Sequence, residues 1–130
     1  TNNKGETLLF LACENGSENL VKYLVKHGAN IDKENNNEET PLFYACKNRN
    51  ENIVKYLIDE CNAKINKANY CGETPLLLAC ESGNINIVKY LIDECKVDIN
   101  IKNDDGETPL LKAFHNEYLN IVEYLIEKGA

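Results

Sequence analysis

The stretch Gly72–Asp93, reading GETPLLLACESGNINIVKYLID, occurs in this chain four times in recognisable form. GETLLFLACENGSENLVKYLVK starts at Gly5, EETPLFYACKNRNENIVKYLID at Glu38, and GETPLLKAFHNEYLNIVEYLIE at Gly106. The threonines Thr7, Thr40, Thr74 and Thr108 are spaced 33, 34 and 34 residues apart. A fixed period in that range points to stacked copies of one supersecondary unit. Each unit is too short to enclose a core, so neighbours must bury their apolar faces against each other. The copies fill the 130 residues as one domain, 1–130, with repeats at about 1–33, 34–67, 68–101 and 102–130.

Each unit reads as two short helices. Thr-Pro at 40–41, 74–75 and 108–109 is a helix start: threonine offers an N-cap oxygen, and proline at the first helical position sacrifices no hydrogen bond. The spacing predicts a first helix over Pro75–Glu81, closed by Ser82-Gly83. A second is predicted over Ile85–Glu94, where Ile87, Val88, Leu91 and Ile92 make one apolar stripe. Ser17, Asn50 and Asn84 are its expected N-caps, and Lys55–Asp59 and Lys89–Asp93 are expected i,i+4 ion pairs. Both helices fall below the ~12 residues at which isolated helices become marginal, so stacking must stabilise them. The connections after repeats two and three carry one extra residue and no glycine, which predicts a small local bulge.

These residues resemble the ankyrin repeat family: Thr-Pro-Leu, Leu-Ala-Cys, Ile-Val-x-Tyr-Leu-Ile and Gly-Ala-Asn-Ile-Asp, in phase over nearly the whole chain. The resemblance implies an all-α solenoid of helix–turn–helix units with β-hairpin-like finger loops. It further implies a concave protein-binding surface made of fingers and first helices. Leu8 departs from the pattern at a proline position, and Phe10, Phe43, Leu77 and Leu111 stand where the family often has histidine. Glu38, Arg49 and Glu117 replace turn glycines, which predicts weaker second and fourth repeats at ~1 kcal/mol per site.

Carried onto this chain, that surface comprises the finger positions Glu6, Asn36, Asn37 and Glu39, with Tyr70, Glu73, Asp104, Asp105 and Glu107. The first helices add Glu14, Asn15, Lys47 and Asn48, then Glu81, Ser82 and His115 at the same phase. Tyr44 and Lys112 share a slot that reads Leu11 and Leu78, so it is expected to be partly exposed to the groove. Tyr44 and Tyr70 are the expected hot spots, because aromatics dominate interface energetics. Tyr23, Tyr56, Tyr90 and Tyr124 recur on the second helix and read as a packing ladder.

The formal net charge is −7. It disfavours nucleic acid and anionic membrane surfaces, both of which require a basic face. With Glu6, Glu39, Glu73 and Glu107 along one edge, the expected partner is a protein or peptide, basic if electrostatics selects it. Of the six cysteines, Cys13, Cys46 and Cys80 share one slot and Cys61 and Cys95 another, equivalent positions roughly 10 Å apart and too far for a disulfide, while Cys71 stands alone; they read as small buried side chains of a reducing, cytoplasmic setting. There is no C-x-x-C, no phosphate loop and no nucleophile–base pair, so no catalytic residue, metal or cofactor is expected.

The expected function is a non-enzymatic protein–protein interaction module. Two alternatives are a structural spacer or spring within a longer repeat protein, and a substrate-recruiting arm of a larger multidomain protein. The chain reads as a piece of a longer array. The apolar run Leu8–Leu11, where a cap would be polar, predicts weak self-association through the uncapped terminal repeats.

Overall fold

A computed structural model describes all residues, 1–130. It contains eight helices and no strand: α1 (Leu8–Glu14), α2 (Glu18–Lys26), α3 (Pro41–Lys47), α4 (Glu51–Lys55), α5 (Pro75–Ser82), α6 (Ile85–Lys89), α7 (Pro109–His115) and α8 (Leu119–Glu127). They form two layers. The first helices α1, α3, α5 and α7 pack successively on one another, and α2, α4, α6 and α8 lie outside them. Ala12, Ala45, Ala79 and Ala113 occupy the same slot in the inner layer and are almost wholly buried. A side chain without atoms beyond Cβ leaves neighbouring inner helices room to approach. One cluster of 23 buried residues runs through all four units, so no repeat owns its core. No helix is long and apolar enough to cross a membrane.

The extra residue of repeats two and three is absorbed inside the second helix. After Lys55 and Lys89 the chain continues for a turn as π-helix, Tyr56–Glu60 and Tyr90–Glu94. Single π turns of this kind are how an α-helix takes in one inserted residue. The connection then closes through Asn62 and Lys96 at positive φ, 55° and 56°, in place of the glycine used at Gly28. The expected bulge therefore lies in the helix and not in the loop.

The wider π turn also accounts for a correction. Side chains four residues apart no longer align there, and Lys55–Asp59 and Lys89–Asp93 do not pair. The lysines reach instead into the next repeat: Lys22, Lys55 and Lys89 lie 5.6, 5.7 and 5.5 Å from the ring centroids of Tyr56, Tyr90 and Tyr124. The Tyr90 hydroxyl donates to Asp59, and that of Tyr124 to Asp93 at 2.8 Å. The tyrosine ladder joins repeats by cation–π contacts and hydrogen bonds as well as by packing.

Capping differs from expectation too. Thr108 Oγ1 accepts from the Leu111 N–H at 3.2 Å, and Thr74 makes a looser contact to Leu77 at 3.5 Å. Thr7 and Thr40 make no cap bond, and the Thr40 hydroxyl is buried without a partner. Of the second-helix caps only Asn84 acts as one, accepting from Asn86 and Ile87. Asn50 instead donates to the Cys13 carbonyl of the preceding repeat at 2.5 Å.

All six cysteines are free. Burial pushes the thiols of Cys13 and Cys80 up to about 12, leaving them protonated at neutral pH.

Candidate functional site

The fingers are built from a single asparagine per repeat. Asn2, Asn35, Asn69 and Asn103 stand five residues before the threonine, and each side-chain oxygen accepts the N–H groups two and four residues later. In repeats one, two and four the same side chain donates to its own repeat's glutamate: Asn2 to Glu6 (2.8 Å), Asn35 to Glu39 (2.9 Å) and Asn103 to Glu107 (3.1 Å). These bonds hold each turn without strand pairing. Neighbouring fingers are joined by backbone bonds, with Asn36 N–H to the Lys4 carbonyl (2.9 Å), Tyr70 to Asn37 (3.2 Å) and Asp104 to Cys71 (3.0 Å). Sequence reasoning assigned these asparagines no role. Their signal was present: the same residue type at the same phase in every repeat.

The glutamates of the finger bases turn inward. The Tyr44 hydroxyl donates to Glu6 at 2.7 Å and to Glu39 at 3.3 Å. Two repeats further on, the Lys112 ammonium sits 2.8 Å from Glu73, 3.1 Å from Glu107 and 3.4 Å from Glu81. The side chain in this slot thus bridges its own repeat's glutamate and the preceding one. In repeat three the slot holds Leu78, and no such bridge forms.

This geometry corrects the expected acidic edge. Glu6 is only 6% exposed and Lys112 9%, so neither lies on an open surface, and Tyr44 is half-buried with its hydroxyl committed internally. Hydrogen bonds from Asn2 and Tyr44 hold the Glu6 carboxyl below its ordinary value. Bonds from Lys112 and Asn103 do the same for Glu107. Burial alone would lower Lys112, but its bonds to Glu73 and Glu107 outweigh that and raise it. Glu39, Glu73 and Glu107 remain half-buried.

Other predicted positions are open to solvent. Glu14, Asn15, Asn36, Asn37, Lys47 and Asn48 are exposed, as are Tyr70, Glu81, Asp104, Asp105 and His115. Some are partly engaged: Asn36 donates to the Asn3 carbonyl (3.0 Å), and Asn48 to that of Tyr44 (3.0 Å). His115 Nδ1 lies 3.3 Å from Glu107. Half-buried Ser82 donates to the Cys46 carbonyl across the repeat boundary at 3.2 Å. Lys47, Leu78, Glu81 and Ser82 line a depression of about 290 Å³ between α3 and α5. Larger hollows of about 480 and 330 Å³ lie between second helices on the outer side, walled by charged residues.

Nine large apolar side chains are exposed. Eight belong to the first or last repeat, and Tyr70, 62% exposed, is the only one in the two middle repeats.

A family model described as ankyrin repeats (3 copies) matches the chain twice, over residues 1–69 and 61–130. No curated protein matches the chain.

Proposed function

Because the chain belongs to the ankyrin repeat family, whose members generally act as protein–protein interaction modules and are typically non-enzymatic, we propose that it binds a protein or peptide on its finger and first-helix face. Tyr70 is the observation that carries this reading. The other large apolar side chains of repeats two and three are buried or half-buried, and this ring stays in water at a finger tip. Nearby in the repeat order, the hollow over Leu78 between Lys47 and Glu81 offers an apolar floor flanked by opposite charges. Such a surface suits an extended segment that places an apolar side chain over Leu78 and stacks another on Tyr70.

Basic preference rests on fewer carboxylates than the sequence implies. Glu6 is spent on Tyr44, and Glu73 and Glu107 on Lys112. Exposed Glu14, Asp104 and Asp105 remain to meet a basic partner, with Glu81 shared with Lys112 at 3.4 Å, and they contribute steering more than affinity.

Affinity capture from native cell extract tests the surface. Tyr70→Ala combined with Asp105→Lys, both at exposed finger positions, should release the captured protein while the melting temperature stays unchanged. Lys55→Glu, on the outer helices, should retain it. Equal capture by both variants would reject this face.

A further inference from the structure

We propose that the bound segment carries a lysine whose stem lies over Leu78 and whose ammonium meets Glu39 and Glu73; this rests on the finger and first-helix face being the binding surface. At the two flanking boundaries the side chain in the Leu78 slot joins a pair of glutamates. Tyr44 in repeat two reaches Glu6 and Glu39, at 2.7 and 3.3 Å. Lys112 in repeat four reaches Glu73 and Glu107, at 2.8 and 3.1 Å. Repeat three holds leucine there, so Glu39 and Glu73 have no donor joining them. The same unit builds every boundary, so stacking sets this pair as it sets the other two. A lysine from outside the chain would supply what Lys112 supplies from within.

The oxygens that such a donor needs are unspent. Both side-chain bonds to Glu39 end on Oε2, from Asn35 at 2.9 Å and Tyr44 at 3.3 Å. Both contacts to Glu73 end on Oε1, from Asn103 at 2.7 Å and Lys112 at 2.8 Å. Glu73 Oε2 is buried without a partner, in a side chain that is 14% exposed. A buried acceptor left unpaired costs free energy that an arriving donor recovers. Leu78 is half-buried and forms the floor of the hollow of about 290 Å³ that Lys47, Glu81 and Ser82 complete. A methylene stem can cover such a leucine while its charged end stays with the carboxylates. Around this slot the carboxylates of Glu39, Glu73, Glu81 and Glu107 outnumber the ammoniums of Lys47 and Lys112, so the site favours a further cation.

An NMR titration of the 130-residue chain with Nα-acetyl-lysine methylamide, and separately with its Nε-acetylated form, tests this with no partner protein present. The first compound should shift the Leu78 methyl signals and the side-chain carboxyl signals of Glu39 and Glu73. The second, which has lost its charge, should leave them in place. Leu78→Lys fills the slot from within, so it should abolish those shifts and raise the urea midpoint at neutral pH. Leu78→Tyr, on the pattern of Tyr44, replaces it if circular dichroism shows that it does not fold. Absent shifts, equal shifts with both compounds, or shifts that persist in the filled-slot variant would each overturn the proposal. Affinity capture separates that outcome from the wider reading. A protein captured equally by the wild-type chain and Leu78→Lys keeps the face and removes the lysine site, whereas a wild-type chain that captures nothing removes both.

Discussion

The Tyr44 hydroxyl and Glu6 Oε1 stand 2.7 Å apart, joining the first helix of repeat two to the finger of repeat one across 38 residues of sequence. Glu6 is only 6% exposed, so its charge depends on donors that the fold supplies. Removing one of them tests how much this boundary relies on the pair. Tyr44→Phe keeps the ring, which packs edge-on against Phe10, and deletes the donor. It should cost about 1–3 kcal/mol in urea unfolding. A change within a few tenths of a kcal/mol would show that the bond contributes nothing net.

Acid should act through the same residues. The folded-state carboxyls of Glu6 and Glu107 lie below their ordinary value of 4.5. A depressed carboxyl contributes stability that is complete above the unfolded value and disappears as pH falls through the folded one. Stability should hold steady down to about pH 5 and then decline as the pH falls further through the lowered folded-state values, with a shallower decline in Tyr44→Phe. Equal slopes for the two proteins would detach this pair from the acid transition.

Lys112 is the only cation among Glu73, Glu81 and Glu107, and it is nearly enclosed. Lys112→Met should therefore destabilise by about 3 kcal/mol at neutral pH, because three carboxylates lose their counter-charge. The deficit should shrink in acid, where the carboxylates protonate. Denaturant midpoints at the two pH values check both halves.

Arg49 and Glu117 hold φ of 62° and 60°, a left-handed conformation that glycine adopts at the same phase in Gly16 and Gly83. Arg49→Gly and Glu117→Gly should each stabilise by about 0.5–1 kcal/mol, after allowance for the freer unfolded chain. Gly83→Ala should move the other way by about 2 kcal/mol. Its φ is 82°, and an added Cβ would fall 2.5 Å from the Tyr118 ring. Thermal unfolding of the three variants gives the order directly.

The architecture was legible in the sequence because it is written four times. Leu76, Ala79 and Cys80, with Ile87, Val88 and Leu91, mark the buried face of a helix pair by spacing alone, and the helices form where that spacing places them. Inter-repeat pairings were not legible. Glu6 reads as a finger carboxylate in any single repeat. Only the side chain one repeat later decides whether it faces solvent or a tyrosine hydroxyl. Lys55 pairs with Asp59 on a regular α-helix, and a π turn beginning at Tyr56 removes that alignment.

Local spacing and propensity determined the period, the two helices of each unit and the family, because these depend on residues a few positions apart. The tertiary structure decided which polar residues are available to a partner. Stacking brings residues some thirty positions apart within hydrogen-bond reach, and there Tyr44 satisfies Glu6, and Lys112 satisfies Glu73 and Glu107, while Tyr70 stays in water.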